Sequence, residues 1–245
     1  MLPLVLPFVL VGYSQNPIYA EESQYTPEDY VSYLTGLSES GDKHAAEILS
    51  QFNGLEKDKQ EAFVKFLFSP GYADAVATAM SIPSKEAKVS TVKVIDNVEL
   101  PVTMSKAVKI EPSDSSLTSN KVAAASEAYS VTSHDDIQIA GIVTTTLYET
   151  FVYETDGRVA TKSLSVKQDH NNWNPAYIIT PIGTNSPGYV TGGWAFGSAQ
   201  WTMSMTGSFG GISSTWTVEI KAHDAKEWYY RCSTTKPNGG GHDWI

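Results

Sequence analysis

With a single cysteine, Cys232, in 245 residues, the chain cannot close a disulfide within itself, so its fold must rest on packing alone. A lone late cysteine reads as a buried apolar filler, with a reactive or dimerising thiol as the alternative. Charge is sparse at 18% of residues, and basic residues are the scarcer sign, 17 against 27 acidic. The net charge of −10 repels phosphate backbones and argues against a nucleic-acid partner. Motifs of catalysis and cofactor binding are missing as well: no H-E-x-x-H, G-x-S-x-G, P-loop, C-x-x-C or dinucleotide fingerprint occurs. A non-enzymatic protein without metal or cofactor is therefore expected.

The first 20 residues carry no charge, and Leu2 to Val11 are apolar apart from Pro3 and Pro7. Ile18-Tyr19-Ala20 places a small residue just before Glu21, as a signal peptidase requires. A spanning anchor would need about 20 apolar residues, so cleavage after Ala20 and an extracellular protein are the expectation. The positively charged start usual in such leaders is not seen.

Helical and strand patterns then divide the chain. Thr26-Pro27-Glu28-Asp29 offers a hydroxyl cap, a proline at the first helical position and acids at the positive end of the dipole. Tyr30, Leu34 and Leu37 follow at helical spacing. A second helix is expected from near Asp42 to Asn53-Gly54, a third through Ala62, Phe63, Phe66 and Leu67, and a short fourth over Tyr72 to Met80. From Lys85 the pattern turns to β-branched residues alternating with polar ones, and Glu111 to Lys121 has a linker's composition. Asp156-Gly157 marks a tight hairpin whose two central residues would take positive φ. The strands expected beyond Lys121 are Glu127 to Ser133, Ile137 to Thr145, Tyr148 to Tyr153, Val159 to Val166, Ala176 to Ile182, Gly188 to Phe196, Gln200 to Thr206 and Ser214 to Ala222. The expected fold is α+β: a small N-terminal helical hairpin bundle followed by an antiparallel β-sandwich. Its parts are a leader over 1–20, a helical region over 21–83, strands and linker over 84–122, and the sandwich over 123–245.

One stretch departs from the rest. Between Asp169 and Glu219 there is no Asp, Glu, Lys or Arg. Inside it Trp201, Met203 and Met205 alternate with Thr202, Ser204 and Thr206, and Ile212, Trp216, Val218 and Ile220 alternate with Ser213, Thr215 and Thr217. Gly207 to Gly211 is the turn between them. One reading has the apolar face close the sandwich core with the hydroxyl face in water. The other has the hairpin leave the fold and enter a bilayer as barrel strands do. Membrane- or ligand-contact candidates on this basis are Trp194, Trp201, Met203, Met205 and Trp216. Tryptophans and the Tyr229-Tyr230 pair concentrate in the β region, where they suit sugar stacking, an interfacial belt or a core.

Neighbouring histidine and acid residues (His134-Asp135-Asp136, Asp169-His170, His223-Asp224, His242-Asp243) read as chance pairs, because adjacent strand residues face opposite ways. Glu149 and Glu154 would make a glycosidase-like pair only at a fixed separation that nothing in the sequence sets.

The helical pattern Leu55-Glu56-Lys57-Asp58-Lys59-Gln60-Glu61-Ala62-Phe63-Val64-Lys65-Phe66-Leu67, the Asn174-Pro175 loop and the Gly-Trp strand resemble those of a group of exported Firmicutes proteins. That group has a helical N-terminal region and a β-rich C-terminal one, and it includes the large heat-labile geobacillin-type bacteriocins. The resemblance is compositional and supplies no catalytic residues. It implies a secreted, non-enzymatic antibacterial protein whose partner is the envelope or membrane of related bacteria, with insertion of the uncharged hairpin as one route. A cell-surface or glycan-binding β-sandwich module is the alternative, and a structural matrix protein a third.

Overall fold

Thr26 and Asp29 close a capping box: the Thr26 hydroxyl accepts from the Asp29 N–H at 3.2 Å, and the Thr26 N–H donates to the Asp29 carboxylate at 2.9 Å. The computed structural model describes residues 25–81, 88–113, 126–206, 213–235 and 244. The expected leader, most of the Glu111 to Lys121 segment and the Gly207 to Gly211 turn lie outside these residues.

From that cap runs α1 (Pro27–Glu39), followed by α2 (Lys43–Asn53), α3 (Lys57–Leu67) and α4 (Pro70–Ser81). Asp42 caps α2 by accepting from the Ala45 N–H at 3.0 Å. None of the described helices is long and apolar enough to cross a membrane. Short helices gain their stability from what they bury. Here that is an aromatic cluster, with Tyr30 and Phe52 at 4.9 Å between ring centres and Phe52 and Phe63 at 5.4 Å.

Buried tyrosines must also place their hydroxyls, and these bonds fasten the helices to the strands. Tyr30 donates to the Trp173 carbonyl at 3.1 Å, and Tyr72 bonds the Thr144 hydroxyl at 3.0 Å. In the reverse direction Tyr177 donates to the Ser69 carbonyl at 3.0 Å. Helices and strands thereby share one continuous buried cluster.

The strands form two antiparallel sheets. The first takes β1 (Lys88–Ile95), β2 (Val98–Pro112), β3 (Glu127–Ile139), β4 (Ile142–Thr155) and β5 (Ala160–Asn172) in sequence order. The second runs β10 (Trp228–Thr234), β9 (Ser213–Ala222), β8 (Trp194–Met205), β6 (Tyr177–Thr184), with β7 (Tyr189–Thr191) also paired to β8. The expected α+β order of helices followed by antiparallel sheets is what forms. β1 and β2, expected as a separate stretch before the sandwich, belong to the first sheet.

Turns explain where strand boundaries differ from expectation. Tight two-residue hairpin turns with positive φ at both central residues form at Asp96-Asn97 (φ +50° and +66°), at Ala140-Gly141 (φ +50° and +83°) and at Gly192-Gly193 (φ +57° and +79°). The second lets β3 continue unbroken from Glu127 to Ile139, where sequence suggested two pieces. At Asp156-Gly157 only the glycine takes positive φ. The Asp156 side chain instead accepts from the Arg158 and Val159 N–H groups, giving a wider loop.

Between the sheets the faces interlock by size. Trp201 sits opposite Trp216 in the β8–β9 ladder, and both are 0% exposed. Further along β8, Gly197 lies so close to the Phe151 ring of the first sheet that an added Cβ would come within 2.8 Å of it. Truncating Trp216 to alanine is expected to lower the unfolding free energy by about 3–5 kcal/mol in a urea titration. Met203→Lys places an ammonium where the native side chain is 1% exposed, and is expected to abolish the cooperative transition altogether.

Candidate functional site

Once the apolar members of β8 and β9 point inward, the alternate residues must form the outer face of the second sheet. Register places Thr202 beside Thr215, Gln200 beside Thr217 and Ser204 beside Ser213, with Thr180 and Ile178 of β6 flanking them. Gln200 Nε2 donates to the Thr217 hydroxyl at 3.3 Å, and the Ser204 and Ser213 hydroxyls meet at 3.4 Å. Glu219, Lys221 and Arg231 are the ionised residues of this sheet's strands, and the first and last pair across β9–β10, with Arg231 Nη2 at 2.9 Å from Glu219. The rest of the face is uncharged, hydroxyls and amides with the exposed Ile178 among them.

One end of that face is aromatic. Lys221 Nζ lies 4.9 Å from the centre of the Trp194 ring, 4.7 Å from Tyr229 and 4.8 Å from Trp244. Trp194 stands 5.4 Å from Tyr229, and Arg231 packs over Trp244 at 4.7 Å. Next to them Tyr189 and Phe196 stack at 4.8 Å, nearly parallel at 7°. Each ring keeps part of its surface in solvent. A cation among ring faces holds the rings in place and leaves their edges for a ligand.

Among the contact candidates, Trp194 belongs to this cluster. The other four do not: Trp201 and Trp216 are 0%, Met203 1% and Met205 5% exposed, all on the inner face. In this fold they are core residues. Although β8 runs unbroken for 12 residues, long enough for a barrel strand, its apolar side is already committed to the core. Lys221 was not legible as a site residue, because its role depends on the register that sets it among rings from β8, β10 and the C-terminal segment.

The acidic candidates separate. Glu154 faces outward, 3.9 Å from Lys162, while Glu149 is buried between the sheets. An odd sequence separation on one strand puts them on opposite faces, so they form no catalytic pair. Glu149 instead shares the interior with Asp135. Tyr230 donates to Asp135 Oδ2 at 2.9 Å, whereas Asp135 Oδ1, both Glu149 oxygens and the indole nitrogens of Trp201 and Trp216 have no hydrogen-bond partner. Burial pushes the Asp135 carboxyl up to about 6, against the pull of Lys106, Tyr230, Ser133 and His134. Burial, then the charges of Asp135 and Glu219, holds Glu149 well above the ordinary carboxyl range. Cys232 is buried beside Tyr230, and desolvation raises its thiol, so it stays protonated as a core residue.

A histidine–acid pair does form, two residues apart rather than adjacent. His134 Nε2 and Asp136 Oδ1 lie 2.9 Å apart on the face of β3 turned away from the interior. The same period of two that separates adjacent residues joins these. No group of three or more metal-binding side chains occurs among the described residues.

Both interior acids hold their protons more tightly folded than unfolded. Their stabilising contribution is therefore complete below the ordinary carboxyl pKa and is lost as pH rises through about 6 and beyond. The melting temperature is expected to fall between about pH 5 and pH 8, and Glu149→Gln to flatten that fall. In comparisons with family models, curated proteins and solved structures, the chain finds no match in any of the three.

Proposed function

We propose that this is a secreted, non-enzymatic antibacterial protein that acts at the envelope of bacteria related to its producer, and that it docks there through the outer face of the second sheet. The observation that carries the reading is that face itself. On a chain of net charge −10, it is a broad surface whose carboxylate, Glu219, is neutralised by Arg231. An acidic protein meets a polyanionic wall with least repulsion where its own surface is neutral. Hydroxyl and amide side chains can exchange hydrogen bonds with a polysaccharide, and the parts of the Trp194 and Tyr229 rings left in solvent offer apolar contact to a sugar.

Docking of this kind leaves the core intact. Membrane insertion of the β8–β9 hairpin would require Trp201, Met203 and Trp216 to leave the interior first. A glycan-binding module without toxicity uses the same face, and the aromatic cluster favours it equally.

Purified protein is expected to clear lawns of close relatives and to co-sediment with their cell walls. The Trp194→Ala, Tyr229→Ala double variant should keep its melting temperature and lose about tenfold in wall affinity, with killing reduced in parallel. Wall binding without any growth inhibition would leave the glycan-binding module. Undiminished wall binding by the double variant would remove the docking face.

A further inference from the structure

We infer that a recess on the other side of the molecule, between α2 and the face of the first sheet turned away from the sandwich interior, binds a small ligand carrying a protonated amine. It has a volume of about 180 Å³. That is the room of roughly six water molecules, enough for one sugar ring or an amino acid.

Its walls are aromatic and held from behind. Trp173 fixes its indole by donating to the Asp42 carboxylate at 2.9 Å, and faces His44 at 5.8 Å. Tyr148 receives a hydrogen bond from Asn171 Nδ2 at 3.2 Å and stacks on His134 at 4.9 Å. Asp136 is held just as firmly: Oδ1 meets both His134 Nε2 at 2.9 Å and the Thr146 hydroxyl at 2.7 Å. Both contacts fall on one oxygen, which leaves Oδ2 for a ligand's donor.

Charge decides the ligand class. Asp136 and Glu47 both line the recess, and neither lysine nor arginine does. An anion would be repelled by the two carboxylates, and the imidazoles that line the recess, His44 and His134, are already turned to them, at 3.6 Å from Glu47 and 2.9 Å from Asp136. A neutral polyol could use the hydrogen-bonding groups but would gain nothing from the charge. An ammonium group is attracted by the carboxylates, and the carbons beside it can pack on the aromatic walls that Trp173 and Tyr148 give the recess. This site uses no residue of the second sheet's outer face, so it stands or falls apart from the proposed docking there.

The test is titration of the full chain with glucosamine, using glucose as the neutral control of the same shape, read by calorimetry and by Trp fluorescence. Glucosamine is expected to bind saturably, with a dissociation constant of order millimolar for so small a recess, and about tenfold more tightly than glucose. Asp136→Asn and Glu47→Gln should each weaken it several-fold while glucose binding stays unchanged. Glu47 is a solvent-exposed helix position, so that variant tests the charge without risk to the fold. Equal affinity for the two sugars, no saturable glucosamine binding, or full affinity in Glu47→Gln overturns the inference. Tight Zn²⁺ binding that the His44→Ala variant abolishes, with no response to glucosamine, overturns it in favour of a metal site.

Discussion

The pairing of Trp201 with Trp216 across β8 and β9 sets the direction of every other side chain in the second sheet. A strand has a period of two, so a slip of one residue would turn two buried indoles into solvent and a row of hydroxyls into the core. The close fit of Gly197 against Phe151 adds a second lock, because only a residue without Cβ lets the sheets approach there. The neutral outer face, the ring cluster around Lys221 and the exclusion of Met203 from solvent all follow from that one registration.

The interior so formed is less apolar than its strands suggest. Asp135 and Glu149 lie between the sheets with lone pairs unpartnered, and two indole N–H groups are likewise unpartnered. A protonated carboxyl is far less costly to bury than an ionised one, so the fold keeps these acids neutral. This ties the stability of a disulfide-free protein to the pH of its surroundings. The tyrosines that join the helices to the strands do the opposite: each buried hydroxyl of Tyr30, Tyr72 and Tyr177 has a partner, and the helical region is fastened by those bonds as well as by its aromatic cluster.

Two surfaces of different character result. The outer face of the second sheet is broad and nearly without net charge, which suits an extended polymer. The recess under α2 is small, aromatic and acidic, which suits a single small cation. They lie on opposite sheets and share no residue, so one molecule could engage a wall and a small amine at once.

Much of the architecture was legible in the residues. The Thr26–Asp29 cap, the Asn53-Gly54 stop and the alternation through Trp201 to Met205 and Trp216 to Ile220 each reflect local physics: capping bonds, helix termination and the two-residue period. The uncharged stretch also marked where neutral surface would lie. What sequence left open was which reading of the alternation holds, since an apolar stripe looks the same whether it meets lipid or another sheet. Only the facing sheet decided that, by covering it. The same is true of Lys221 among its rings, which come from residues far apart in the chain and meet through strand order and register. The separation of Glu149 from Glu154 and the pairing of His134 with Asp136 each follow from spacing along one strand, but only the structure fixed which face of that strand is buried.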